Sequence, residues 1–445
     1  MLGDYRRALF VMTIPLLISL LIAQINSFVD TFWCSMLGSS ALAAVGVVSS
    51  YYMIIVGLGS GIGIGVSSVI AAHIACDQKD DADRTATQSL VFMTIIGLLC
   101  TPILLLIGNP ILHIISSEAY GEATEYASAF YLCAVILVIQ GIMIGILRGE
   151  GAARRSMIIT VLTAVLNMIF DPVFAFVLGM GVSGLSWATV AATAISLVPF
   201  LYWYGVKTEK NYVDIRLRGF RFHMNSLREF LSVGAPKALE LDIMWGLNFV
   251  LCYFVVICGG SSTMAVYTTG WKFIDVIQVP STALGSALIP ICSAAFARRD
   301  MKKVRAAYAH TLMWALIITT VLAIILYIFS DQAVLVFSNS ESASQLQGPM
   351  AEAIRVYVLV AIMFAAITVS SSLLQSIRKA DRSMWSTLLR NIVLIIVFGA
   401  LCHTTPLSMW WGFVAAELFG LILMCGWAEL EYRKELRFPT LSPLS

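Results

Sequence analysis

Apolar residues fall along this chain in blocks of about twenty or more, separated by short polar or Gly/Pro-containing breaks. The blocks run over 8–35, 42–74, 86–107, 122–147, 156–178, 183–205, 229–257, 262–297, 306–330, 349–376, 383–402 and 409–431. Each is long enough to cross roughly 30 Å of hydrocarbon as a helix, the one open-chain conformation that satisfies its own backbone there. The pattern predicts an all-α integral membrane protein of twelve transmembrane helices.

The positive residues test this parse, because loops facing the cytoplasm concentrate Lys and Arg. Of 28 such residues, 24 fall in the seven segments on one side, including Arg6 and Arg7, Arg148 to Arg155, the stretch from Lys207 to Arg228, and Arg298 to Arg305. The six opposite loops hold none, and only Lys237, Lys272, Arg355 and Arg390 lie inside spans. Both termini are expected in the cytoplasm, with the chain multi-pass in the cell membrane. Arg6 and Arg7 before an apolar run could imitate a secretory signal, but the run continues to Phe32 and Trp33 without a small-residue cleavage site, so a retained first helix is expected.

The chain also repeats itself. Setting Pro15 against Pro236 brings Gly38 onto Gly259, "AAHIACDQK" onto "AAFARRDMK", and "ARRSM" at Ala153 onto "ADRSM" at Ala380. This predicts two homologous six-helix lobes related by a pseudo-two-fold axis along the membrane normal, a plan in which rocking exposes a central site alternately. The expected division is 1–205 for the first lobe, 206–228 for a cytoplasmic linker, 229–431 for the second lobe and 432–445 for a tail.

Composition agrees: 59% hydrophobic, 12% charged and a mean hydropathy of +0.88, against roughly 25% charge in soluble domains. A net charge of +2 identifies no partner, and no nucleic acid is expected. The nine Cys lie mostly inside apolar runs without CxxC spacing, and no two of the five His are placed to share a metal, so no transition-metal site or cofactor is expected.

Ionisable groups inside spans cost roughly 2.5–3.5 kcal/mol each even on permissive scales, which makes them candidates for function. Asp30 and Asp171 each precede a glycine by eight residues and so lie ~12 Å below the outer surface. Asn26 and Asn167 stand one helical turn before them on the same faces, and Thr189 enters from the sixth span at the same level. Such a set could coordinate Na⁺ through oxygen, take a proton as a coupled carboxyl pair, or only bind helices together. The repeat places Leu251 and Phe398 opposite Asp30 and Asp171, so the second lobe has no such acids.

The whole chain resembles the MATE (multidrug and toxic compound extrusion) family of cation-coupled antiporters. The likeness rests on "IPLLISLLIAQINSFVDTFWCSMLGSSALAAVG", "LRGEGAARRSM", "LNMIFDPVFAF" and "GVSGLSWAT". Asp30, Asn167, Asp171 and Thr189 together are similar to the prokaryotic DinF-like branch. That resemblance implies a coupling H⁺ or Na⁺ held by the first lobe and a first helix that bends at Pro15. Glu240 lies too near the cytoplasmic end to match the seventh-span acid of another branch.

Other features read more plainly. The glycines from Gly57 to Gly65 imply close helix packing rather than a nucleotide loop, since no strand precedes them. Lys237 and Glu240 are spaced as a local ion pair; Lys272 and Asp275 share that spacing deeper in the eighth span and are cavity candidates along with Asn26. Arg355 and Arg390 are expected to snorkel. Met and aromatic side chains could line an adaptable apolar cavity. The reading is a monomeric secondary antiporter, embedded in membrane lipid, that exports amphipathic or cationic small molecules by alternating access. The alternative is a lipid-linked saccharide flippase, which requires a strongly basic cavity. No nucleophile–base set or HExxH motif supports an enzyme.

Overall fold

The computed structural model describes residues 3–115, 120–206, 211–218, 220–335 and 346–437, so Lys207, Lys210 and the end of the expected tail lie outside the described residues. Among the described residues every regular element is a helix. In chain order they are α1 (Tyr5–Met36), α2 (Ser39–Ala75), α3 (Lys79–Ile115), α4 (Tyr120–Leu132), α5 (Ala134–Gly149), α6 (Ala153–Pro172), α7 (Gly181–Ser196) and α8 (Val198–Gly205). There follow α9 (Met224–Gly260), α10 (Ser262–Ala297), α11 (Met301–Ile328), the short α12 (Ser330–Leu335), α13 (Gln347–Ser376), α14 (Ala380–Leu401) and α15 (Pro406–Arg437). Eleven described spans are long and apolar enough to cross a bilayer, with α7 and α8 forming one of them. The pair α4 and α5, bent by 53° at Cys133, makes the twelfth when taken as one span.

Several helices overshoot the apolar blocks that announced them. The α3 helix begins at Lys79, because the helical ladder continues into water wherever the sequence allows it and an apolar count sees only the hydrocarbon part. Between α9 and α10 the helix is broken at Gly259 and Gly260, and Gly260 takes the left-handed φ of +66°. The first turn of the chain is broken likewise at Gly38, with φ +115°. Glycine tolerates these angles because it has no Cβ.

The duplication read from sequence recurs in backbone detail. The turn after α2 closes with Gln78 N–H on the His73 carbonyl, and the turn after α10 with Asp300 N–H on that of Ala295. After α5 the same closure joins Ala152 to Leu147, and after α13 it joins Lys379 to Leu374. The left-handed residues of these turns are Asp77 and Arg299 in the first pair, Gly151 and Arg378 in the second. All four are six-to-one helix caps.

The glycine-rich stretch of α2 faces two ways. A Cβ on Gly59 or Gly63 would lie 2.7 Å from the Val138 carbonyl oxygen or 2.3 Å from that of Gly141, so this face packs on α5. A Cβ on Gly61 would come 2.4 Å from Ala238 Cα, and one on Gly65 2.5 Å from Gly234 N, so the other face packs on α9. Below this seam, on the side bearing the basic loops, Ser68 hydrogen-bonds Ser293 at 2.8 Å and His73 Nε2 meets Glu229 Oε2 at 3.0 Å. Arg298 donates to the Ala75 carbonyl, and Cys76 donates to that of Ala297. The first and second sets of spans are thus closed upon each other at the basic end. In addition α1 shares a buried cluster with α10, through Leu9, Met12 and Leu16 beside Leu284, Leu288 and Ile291.

Candidate functional site

Helices α1 and α6 pack side by side, which brings the two Asn–x₃–Asp faces together. Asn26 Nδ2 donates to Asp30 Oδ2 at 3.0 Å and, across the helices, to Asn167 Oδ1 at 3.0 Å. Asn167 Nδ2 donates in turn to Asp171 Oδ1 at 2.7 Å and reaches Thr189 Oγ1 of α7 at 3.4 Å. The two carboxyl groups lie within hydrogen-bonding reach of one another. All five polar residues picked out at this depth therefore meet in one network. Asn167 and Asp171 are only 3% and 1% exposed, so the network is largely withdrawn from solvent.

Asp30 Oδ1 and Asn26 Oδ1 are buried and accept no hydrogen bond. Buried acceptors are ordinarily satisfied, and two carboxylates this close repel unless a proton or cation lies between them. The donor set consists of hard oxygens from two carboxyls, an amide and a hydroxyl, which suits Na⁺, and the carboxyl pair equally suits a shared proton. The backbone beyond Asp171 is also irregular, because Pro172 leads into a π turn over Val173–Val177. Such turns relax a helix locally. In α1 the helix runs unbroken through buried Pro15, whose missing N–H leaves the Val11 carbonyl without its helical partner; Ser19 Oγ donates to the Pro15 carbonyl at 2.8 Å.

A cavity of about 620 Å³ opens onto this network. Asn26, Asp30, Asn167 and Thr189 line it together with Tyr52, Tyr126, Phe130 and Gln140, and among the described residues no Lys or Arg does. Its apolar wall combines Tyr52, Tyr126 and Phe130 with Val45, Val56 and Ile144, and Met53 is the one methionine among the described residues that line it. Sequence reasoning passed over Gln140, which bonds Thr163 Oγ1 at 2.7 Å and Ser196 Oγ at 3.2 Å. A lone amide within "AVILVIQGIMIG" was the available signal.

Two expectations are corrected. Lys272 and Asp275 do not pair and do not line this cavity: the Lys272 ammonium lies 5.9 Å from the Phe28 ring centroid with no carboxylate within 4.0 Å among the described residues. Helical spacing permits a pair, but the aromatic face on α1 offers the ammonium an alternative. Arg390 does not snorkel. It is 4% exposed in the middle of α14, paired with Glu417 of α15 at 3.2 Å and stacked over Phe364. Arg355 does reach outward, to Asp331 at 2.7 Å.

The Lys237–Glu240 pair forms at 2.9 Å and carries more than its spacing announced. Glu240 also accepts from Ser383 at 2.8 Å and from Ser371 at 3.4 Å, so it ties α9 to α13 and α14. Asp242 was not singled out at all; its Oδ1 is buried without a partner against Gly57 of α2.

Comparison with known proteins gives concordant matches. A family model described as MatE matches residues 15–173 and 236–401. The probable multidrug resistance protein YoeA of Bacillus subtilis is 21% identical, covering 96% of this chain and 94% of its own. A transporter of the MOP superfamily from Pyrococcus furiosus superposes with a TM-score of 0.93 at 30% identity, covering 97% of each chain. The outward-facing structure of a multidrug resistance MATE family transporter matches with a TM-score of 0.92 at 29% identity, over 97% of this chain and 96% of the other.

Proposed function

The chain belongs to the MatE family, and from that premise we propose that it exports amphipathic or cationic small molecules in exchange for inward-moving H⁺ or Na⁺. The family makes it a membrane transporter of small molecules rather than an enzyme. The coupling cation is assigned to Asp30, Asn167, Asp171 and Thr189, with Asn26 completing the set. The observation that carries this is the pair of buried, unpartnered oxygens on Asp30 and Asn26 beside a second carboxyl. A purely structural clamp would spend those oxygens on neighbouring donors.

The cycle follows from charge. With the site empty, the two carboxyls repel and the network holds open towards the outer side. Entry of a proton or cation removes the repulsion and changes which hydrogen bonds Asp30 can accept, and α1 responds near Pro15, where one carbonyl is already free. The cavity shares Asp30 with the cation site, so cargo and cation compete for one charge, which is the requirement for exchange. In this reading the basic side is cytoplasmic, both termini lie there, and the closed seam between α2 and α9 leaves the site facing outward in a monomer within the cell membrane. A flippase for lipid-linked saccharides would need basic residues in this cavity, and none of the described residues lining it is basic.

The test is dye export from proteoliposomes with pH and Na⁺ gradients imposed separately. Asp30→Asn and Asp171→Asn should each reduce gradient-driven export at least about tenfold at unchanged expression, since a hydrogen bond to a charged group contributes roughly 1.5–3 kcal/mol. Export by both variants at the wild-type rate contradicts the assignment.

A further inference from the structure

The stretch between α8 and α9 is laid along the basic end of α3. Val213 N–H bonds Glu150 Oε1 at 2.9 Å, Asp214 N–H bonds Asp83 Oδ1 at 2.8 Å, and Arg216 N–H bonds Thr87 Oγ1 at 3.1 Å. His223 and Gln88 exchange two hydrogen bonds, at 2.8 and 3.0 Å. The anchors on α3 are Asp83 and Thr87, one helical turn apart, and Gln88 beside Thr87. They hold the segment at the level where α3 passes from charged to apolar sequence, which by composition is where the hydrocarbon begins.

A cavity of about 300 Å³ forms there, lined by Arg84, Arg216, Arg218 and Arg221 with His223, and by Asp80 and Asp83. The charge is not balanced inside it. Asp83 is engaged by the Asp214 amide and by Arg216 at 3.7 Å, and Arg84 leans on Asp81 at 3.4 Å. Arg218 and Arg221 are exposed and have no carboxylate within 4.0 Å among the described residues. Beside them Leu217, Phe222 and Met224 are 65%, 53% and 73% exposed.

We propose that this cavity binds the phosphate of an anionic phospholipid headgroup, with Arg218 and Arg221 as its principal ligands and Leu217, Phe222 and Met224 set into the acyl boundary. Guanidinium groups match phosphate geometry, and clustered Arg beside a membrane edge draws acidic lipid. Exposed apolar side chains flanking the arginines distinguish a lipid from a soluble anion, because only a lipid covers them as it binds. The segment joining the two halves of the transporter is thereby pinned to the membrane surface, independently of which cation drives transport.

The test uses the full chain in detergent, titrated with phosphatidylglycerol or phosphatidylcholine and read by native mass spectrometry. The wild type should retain phosphatidylglycerol preferentially, and R218Q/R221Q should lose about 20- to 30-fold of that affinity, near fivefold per arginine, at an unchanged melting temperature. The fluorescence that F222W adds to that of the ten native Trp should be quenched more by brominated phosphatidylglycerol than by brominated phosphatidylcholine, a measurement that stands even where the double variant folds poorly. Equal retention by R218Q/R221Q, or equal quenching of F222W by the two brominated lipids, overturns the proposal. Full displacement of the lipid by millimolar inorganic phosphate also overturns it, in favour of a soluble-anion site.

Discussion

A buried polar atom is informative through the partner it does or does not have. Asp30 and Asn26 present free oxygens to a common space, whereas Arg390 and Glu417 satisfy each other inside the second set of helices. The second set of helices thus holds its buried carboxylate with a tethered cation, where the first leaves room for a mobile one. Neither Arg390's partner nor the aromatic seat of Lys272 was legible in the sequence, because both partners lie on other helices and spacing reports only neighbours along one helix. Glu150, in the turn between α5 and α6, is the clearest titrating group outside the spans. Burial pushes its carboxyl from the ordinary 4.5 up to about 7, against the opposing hydrogen bond from the Val213 amide. The folded chain therefore holds this proton more tightly than the unfolded chain. Its contribution to stability is complete below about pH 4.5 and is lost as pH rises through about 7. Glu150→Gln should flatten the fall in melting temperature between about pH 5 and pH 8 and match or exceed the wild type at the upper end; an unaltered slope excludes Glu150 as its source.

Helices in this protein carry two kinds of seam that look alike in sequence. Gly59 and Gly63 bind α2 to α5 within one half, while Gly61 and Gly65, two residues out of phase, bind α2 to α9 of the other half. In the proposed cycle the first seam stays shut and the second opens. A methyl at position 61 would meet the Ala238 backbone at 2.4 Å, and backbone cannot rotate aside. Gly61→Ala should therefore part the basic ends: spin labels at Asp77 and Asp300 should separate by several ångströms, and dye export should fall about tenfold. Gly246→Ala, with nothing within 4 Å of its added methyl, is the control. Indistinguishable distance distributions for Gly61→Ala and the wild type contradict a gating seam. Close packing here was readable from composition, but which glycine faces which partner was not. A two-residue offset rotates the helix face by about 200°, and only the tertiary arrangement says what stands there.

At the level of the whole molecule the sequence was most legible where the bilayer imposes a single rule. Apolar length and basic loops located the spans, and the repeated turn motifs reappear as matching helix caps at Asp77 and Arg299 and at Gly151 and Arg378. The candidate site was legible for the same reason, since few polar residues are tolerated at depth and five of them met. The aromatic wall was not, because Tyr52, Tyr126 and Phe130 are ordinary residues of apolar helices until the fold gathers them. The halves are asymmetric, and the proposed coupling-cation site lies in the first six spans alone, one per chain. Counting bound ²²Na⁺ and released protons on purified protein tests it most directly. A single cation equivalent per chain is expected, absent from Asp30→Asn and Asp171→Asn and retained in Lys272→Ala; two equivalents per chain, or one that survives the loss of either acid, contradicts a single site in the first lobe.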